Sequence, residues 1–130
     1  MLEVDFGDRG IEVVRDCRYQ GQAVIDPERM AQVVYNIAAS ARDAMPGGGT
    51  FTVATRQNEE QVELRFSDTG PGVPEELRDR VFEPFLTHGK REGAGLGLSI
   101  ASRIVEEHGG KLWIEGNKGG GATFVLSLPL

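Results

Sequence analysis

Two glycine clusters within residues 68–98 constrain the possible fold more than any other feature of this sequence. The clusters comprise Gly70 and Gly72, then Gly93, Gly95 and Gly97. Between them lies a charged segment with an aromatic and proline cluster at residues 82–85. Glycine allows backbone to turn through positive φ or to approach a ligand closely, and surface loops often carry binding residues. The stretch therefore predicts a ligand pocket covered by a lid.

A predicted strand ends in an acid just before the first cluster. Val62, Leu64 and Phe66 alternate with polar residues, and Asp68 has the parity of this apolar set. A carboxylate aimed at a core is costly to desolvate and needs a hydrogen-bond donor. The amino group of adenine is a suitable donor, and the glycines beyond it would admit a flat base. Asp68 can equally cap the turn before Gly70, and strand parity alone leaves both interpretations open.

The second cluster opens a segment with helical spacing. Its apolar positions are Leu98, Ala101, Ile104, Val105 and His108. Backbone N–H groups at a helix N-terminus carry partial positive charge, so a glycine-rich entry there suits an anion such as a polyphosphate. A glycine run alone is weak support, because many such runs form only loops.

A second helix is predicted to begin at Asp26. Asp26 suits the N-cap, Pro27 the first helical position and Glu28 the first turn. The apolar stripe of this helix predicts packing on a sheet, and beside it runs a polar row that comprises Gln32, Asn36, Ser40 and Asp43. Such side chains can hold hydrated Mg²⁺ and its phosphates. A polar row is also typical of the solvated flank of an amphipathic helix.

These segments resemble the motifs of one family. Residues 68–72, Asp-Thr-Gly-Pro-Gly, are similar to a first glycine box, residues 82–85, Phe-Glu-Pro-Phe, to an F box, and residues 93–98 to a second glycine box. Residues 32–36 and 41–45 are similar to an N box. The chain thus resembles the ATP-binding catalytic domain of sensor histidine kinases, in the Bergerat-fold superfamily that includes gyrase, Hsp90 and MutL.

The resemblance implies an α+β fold, a two-layer α/β sandwich. We expect a mixed, mostly antiparallel sheet covered on one face by helices that start near Asp26 and Leu98, with an ATP lid that contains a short helix at residues 74–80. The pattern of the chain predicts strands at residues 11–19, 23–25, 50–56, 61–68, 111–115 and 122–128. Residues 1–130 are expected to form a single domain cut from a longer kinase, without its phosphoacceptor hairpin and sensor.

The resemblance also implies a function and a set of residues. The function is Mg²⁺-dependent ATP binding and transfer of the γ-phosphoryl to a histidine on a separate dimerisation domain, for relay to the receiver domain of a response regulator. Asn36 and Ser40 are the implied catalytic residues and Mg²⁺ ligands. The implied nucleotide contacts are Asn36, Ser40, Asp43, Ala44, Asp68, Gly70, Gly72, Val73, Phe85, Thr87, Lys90, Gly93, Gly95, Leu96, Gly97, Leu98 and Thr123.

Three of these assignments have competing interpretations. At Ser40 the family normally has an asparagine, its principal Mg²⁺ ligand, so a degenerate nucleotide-binding or docking module is an alternative function. Lys90 fits a free surface lysine as well as a phosphate contact. Thr123 fits a β-branched strand former as well as a residue that assists adenine recognition. An anti-sigma-type serine kinase shares the fold and is the other alternative. Neither His88 nor His108 has the surroundings of a phosphoacceptor.

Composition limits which partners and which cellular compartment we expect. The chain has 20 acidic and 14 basic residues and a net charge of −6, which argues against a nucleic-acid partner. The single Cys17 cannot form an internal disulfide. No apolar run approaches the ~20 residues needed to span a bilayer. We therefore expect a cytoplasmic domain that does not insert into a membrane, although its parent protein could be membrane-anchored.

Overall fold

The computed structural model describes residues 11–17, 26–57, 60–78, 80–82, 94–116 and 120–129. Its strands and helices in chain order are β1 (Ile11–Cys17), α1 (Pro27–Ala44), β2 (Gly49–Gln57), β3 (Gln61–Ser67), α2 (Ala94–Glu107), β4 (Lys111–Gly116) and β5 (Ala122–Pro129). Two short turns of 3-10 helix, Glu75–Leu77 and Arg80–Phe82, lie between β3 and α2.

The five strands form one sheet in the order β1-β2-β3-β5-β4. β1 pairs in parallel with β2, and the other neighbouring pairs are antiparallel. The predicted mixed, mostly antiparallel sheet is therefore confirmed. Because β5 lies between β3 and β4, the residues just after β3 meet those that begin β5.

The predicted N-terminus of α1 is also confirmed. The Asp26 carboxylate accepts hydrogen bonds from the backbone N–H of Glu28 and of Arg29, at 3.2 and 3.3 Å. Pro27 occupies the first helical position, where its missing N–H costs no intrahelical bond. Within the part of the chain that the structure describes, no helix has both the length and the apolar character to cross a membrane.

Both helices pack on one face of the sheet. The core joins Phe66 and Phe124 of the sheet with Ile37 of α1 and Val105 of α2, each of them 4% exposed or less. The ring of Phe82 meets that of Phe124 edge to face, with centroids 6.3 Å apart. The predicted two-layer sandwich is confirmed, and Phe82 of the aromatic and proline cluster packs against its core.

The structure differs from the sequence predictions at two described places. Helix α2 begins at Ala94 instead of Leu98, so its first turn contains two glycines although glycine disfavours helix; tertiary contacts such as that of Asn36 with the Gly97 carbonyl override this propensity. The short helix expected at residues 74–80 is replaced by the two 3-10 turns. The strand predicted at residues 23–25 lies outside the described residues.

Candidate functional site

Asp68 lies directly beyond β3 and is only 4% exposed. Its Oδ1 accepts hydrogen bonds from the backbone N–H of Gly70, at 2.9 Å, and of Ala122, at 3.2 Å. Its own N–H donates to the Ala122 carbonyl oxygen at 2.9 Å. The acid is thus buried, as strand parity predicts, and it also closes the turn before Gly70. The turn-capping interpretation is therefore confirmed, and the contact of Asp68 with adenine stays a prediction.

The first glycine box requires its glycines at two positions. A Cβ on Gly70 would lie 2.6 Å from the carbonyl oxygen of Ala44, at the end of α1. Gly72 has φ +80°, and a Cβ there would lie 2.9 Å from the carbonyl oxygen of Gly121. Because both contacts are with backbone, neither can relax by a rotamer change. The box is therefore packed between the end of α1 and the start of β5.

Thr69, between Asp68 and Gly70, fixes the other side of this loop. Its Oγ1 accepts a hydrogen bond from the Thr50 N–H at 3.0 Å and lies 3.5 Å from the sulfur of Met45. Sequence reasoning gave Thr69 no role of its own. The signal available was a hydroxyl inside a glycine turn, a residue type that often bonds to nearby backbone.

The polar row of α1 meets the first turn of α2. Asn36 donates through Nδ2 to the Gly97 carbonyl oxygen at 2.9 Å, and its Oδ1 accepts from Gln32 Nε2, also at 2.9 Å. Asn36, Ser40 and Asp43 are half-buried, and Asp43 accepts a hydrogen bond from the Arg42 Nε at 3.3 Å. From Asn36 onwards the row is therefore partly buried, and Asn36 contacts the second glycine box.

The second glycine box forms the first turn of α2. Gly95, Leu96 and Gly97 follow Ala94 inside the helix, and the Leu98 side chain is buried in the core. The N–H groups of a first helical turn have no intrahelical partners and carry partial positive charge. This polarised helix end lies beside Asn36, so the structure brings the N box and the second glycine box together.

The Thr123 hydroxyl contacts the neighbouring strand. Its Oγ1 is 2.8 Å from the Oγ of Ser67, its partner in the β3–β5 register. Phe66 and Phe124, the next pair, face the core, so alternation places Thr123 on the other face of the sheet. The residue that meets Asp68 is Ala122, through its main chain. The run of glycines before Ala122 was the sequence signal for this close approach.

His108 joins the N-terminus of α1 to the C-terminus of α2. Its Nε2 accepts a hydrogen bond from the Asp26 N–H at 3.0 Å, and its Nδ1 lies 2.8 Å from the Ile104 carbonyl oxygen. Because Nε2 accepts in this arrangement, Nδ1 is the ring nitrogen that can donate. His108 is thus a connector of α1 and α2. The remaining predicted contacts, Phe85, Thr87, Lys90 and Gly93, lie outside the described residues.

The motifs and the fold agree with a known family. Residues 25–130 match the model of the histidine kinase-, DNA gyrase B-, and HSP90-like ATPases. The adaptive-response sensory kinase SasA of Nostoc sp. is 38% identical over 109 residues, which are 81% of this chain and 27% of that protein. The chain therefore spans about a quarter of the length of this relative.

Solved structures agree with the sequence relatives. The catalytic domain of the histidine kinase ThkA superposes with a TM-score of 0.83 at 31% identity, over 95% of this chain and 83% of that one. Full-length ShkA in complex with AMPPNP superposes with a TM-score of 0.84 at 31% identity, over 95% of this chain and 26% of that one. ThkA has also been solved with the response regulator protein TrrA. The chain therefore belongs to the histidine kinase-, DNA gyrase B- and HSP90-like ATPase family, as an ATP-binding domain of the sensor histidine kinase type.

Proposed function

We propose that this chain binds ATP with Mg²⁺ and donates the γ-phosphoryl to a histidine on a separate dimerisation domain. Adenine would bind at Asp68, Gly70, Gly72 and Val73, and the triphosphate at the first turn of α2. The observation that carries the proposal is the buried carboxylate of Asp68, which two backbone N–H groups hold in place at the sheet end. A rigid acceptor in that position can select a base that carries an amino group.

The surroundings of Asn36 fit a role at the phosphates. Its Oδ1 is engaged by Gln32, a single exposed side chain that can give way to a cation. Ser40 follows one turn later on the same side of α1. Mg²⁺ binds few protein oxygens and keeps its waters, so Asn36 and Ser40 with the phosphates would suffice. The ion would neutralise charge on the phosphate oxygens.

The proposed transfer needs no base on this domain. The neutral imidazole of the acceptor attacks the γ-phosphorus, the bond to the bridging oxygen of ADP breaks, and the imidazole proton passes to solvent. What this chain supplies is position and electrostatic stabilisation, from the N–H groups of α2 and the polar row of α1.

We further propose that the parent protein contains the dimerisation hairpin and acts on a response regulator. The support is that this chain covers only 27% of the SasA relative and 26% of full-length ShkA. The complex of ThkA with the response regulator protein TrrA supports the same partner class.

Incubation with radiolabelled ATP, Mg²⁺ and a supplied hairpin domain tests the function. We expect label on the hairpin that is lost in acid, because phosphohistidine is acid-labile. Acid-stable label would instead identify a serine kinase. No label on any supplied domain, with ATP bound normally, would overturn the kinase proposal and leave a binding module.

Ser40 specifically favours that binding module as a second candidate. A serine is shorter than the asparagine usual in the family, so Mg²⁺ coordination could be lost while the base site remains. Calorimetry of ATP with and without Mg²⁺, on the natural chain and on Ser40→Asn, separates the candidates. Affinity that depends on Mg²⁺ in the natural chain supports the kinase. Affinity indifferent to Mg²⁺, restored to dependence by Ser40→Asn, supports the degenerate module.

A further inference from the structure

Arg78 lies directly after the 3-10 turn Glu75–Leu77, and its side chain is partly buried. Its Nε donates a hydrogen bond to the carbonyl oxygen of Val73 at 3.1 Å. Its Nη2 lies against Gly116, where a Cβ would come within 2.6 Å of that nitrogen. The guanidinium can occupy this position only because residue 116 has no side chain. The place of Arg78 thus depends on a second residue far away in the sequence.

Both partners of Arg78 lie next to the carboxylate site. Gly116 pairs with Ala122 across β4 and β5. Ala122 donates to the Asp68 Oδ1 and accepts from the Asp68 N–H. Val73 directly follows the first glycine box on the other side. Arg78 therefore bridges the two chain segments between which Asp68 is held.

The hydrogen bonds between Asp68 and Ala122 orient the loop at the acid itself. Further along, from Gly72 onwards, the described contacts are of another kind. Gly72 packs on Gly121, and Gly121 packs on the carbonyl oxygen of Asp68, both through backbone van der Waals contact. Such contacts set a minimum distance but no direction. A hydrogen bond from a planar guanidinium is directional, and Arg78 applies it at Val73, where the segment turns towards the lid.

We propose that Arg78 is a positioning residue for nucleotide binding, which clamps the segment after the first glycine box against the β4–β5 end and so fixes the base site around Asp68. The inference rests on the proposed function, because it presumes that a nucleotide base binds there. Arg78 acts through Val73 and Gly116 and does not contact the nucleotide. An arginine that only solvated the surface would have no such requirement at Gly116.

The first experiment compares ATP and ADP affinity in Arg78→Gln. A base-site effect is common to both nucleotides, so both dissociation constants rise by the same factor, about tenfold, as expected for losing one hydrogen bond from a charged donor. Arg103→Gln is the matched control, since Arg103 is 82% exposed on α2, and both constants stay unchanged there. Arg78→Lys keeps the charge but not the planar fork, so it rescues only part of the loss.

The second experiment is a double-mutant cycle with Gly116→Ala. The added Cβ displaces the guanidinium without changing charge, so Gly116→Ala alone weakens both nucleotides. With Arg78→Gln already present, Gly116→Ala has little further effect, because the displaced group is gone. Thermal unfolding of each variant is measured first, without nucleotide. The titrations are then run at a temperature at which all the variants are folded.

The possible outcomes are distinct. Additive effects in the cycle, or an Arg78→Gln variant with the affinity of the natural chain, overturn the inference alone. A loss for ATP but not for ADP also overturns it, since it would show a direct phosphate contact. A natural chain that binds neither nucleotide overturns the proposed function itself.

Discussion

The side-chain amide of Asn36 donates a hydrogen bond to the carbonyl oxygen of Gly97, over 2.9 Å between Nδ2 and O. The two residues are 61 positions apart and belong to different helices. This bond fixes the polar row of α1 beside the first turn of α2, where N–H groups without helical partners gather. A metal on the row and phosphates on the helix end would therefore be neighbours.

Gly97→Ala should separate fold stability from nucleotide binding. A Cβ there would lie 3.6 Å from the Asn36 Cγ, an ordinary contact, so the folded chain can accept it. Alanine favours helix over glycine, and we expect the free energy of unfolding to rise by about 0.5–1 kcal/mol in urea titrations. The methyl group would lie between Asn36 and the first turn of α2, where the phosphates are proposed to bind, so the dissociation constant of ATP should rise at least about tenfold.

Leu112→Val, in the core away from the first turn of α2, is the control for changed packing in general. It should lower stability and leave ATP affinity unchanged. An unaltered dissociation constant of ATP in Gly97→Ala would show that the phosphates do not bind at the first turn of α2 beside Asn36.

Gly121→Ala should destabilise the fold outright. Gly121 has φ +90°, and a Cβ would lie 2.1 Å from the carbonyl oxygen of Asp68, which is backbone and cannot move aside. Left-handed strain and this clash together should cost about 3 kcal/mol of unfolding free energy. Gly47→Ala is the control, because nothing lies within 4 Å of a Cβ there. Equal stability of the two variants in denaturant titrations would contradict the packing described around Asp68.

Much of this arrangement was predictable from local patterns. The cap at Asp26, the alternation that buries Asp68 and the apolar stripe of α1 are all determined within a few residues, and each was confirmed. The Asn36–Gly97 bond and the meeting of Asp68 with Ala122 depend on the strand order, which places β5 beside β3. No local pattern contains that information. The contact between the hydroxyls of Thr123 and Ser67 depends on the same strand order, and a role of Thr123 at adenine stays a prediction.

Acid should lower the free energy of unfolding partly through protonation of Glu115 on β4. The Trp113 indole N–H and then the Arg65 guanidinium lower the pKa of Glu115 below its ordinary value of 4.5. A lowered pKa in the folded state contributes stability above pH 4.5 that is lost as the pH falls through the folded value. Trp113→Phe removes the 3.0 Å hydrogen bond to Oε2 and should return the pKa towards 4.5.

Urea titrations at neutral and at acid pH measure this effect. The difference in unfolding free energy between the two conditions should be smaller in Trp113→Phe than in the natural chain. It should be smallest in Glu115→Gln, which does not titrate. The Glu115 side chain is 43% exposed, so solvent screening keeps the change small. An identical pH difference in all three proteins would refute the assigned cause.

The most direct test of the proposed base site is calorimetric titration of ATP into the natural chain and into Asp68→Asn. An asparagine can still accept from Gly70 and Ala122 through its one carbonyl oxygen, so the loop should keep its shape and the melting temperature should stay within a few degrees. It presents an amino group in place of the second carboxylate oxygen, where the adenine amino group would then meet another donor. We predict that the dissociation constant rises on the order of 100-fold. ATP binding of unchanged affinity by Asp68→Asn would contradict the assignment of Asp68 to the base.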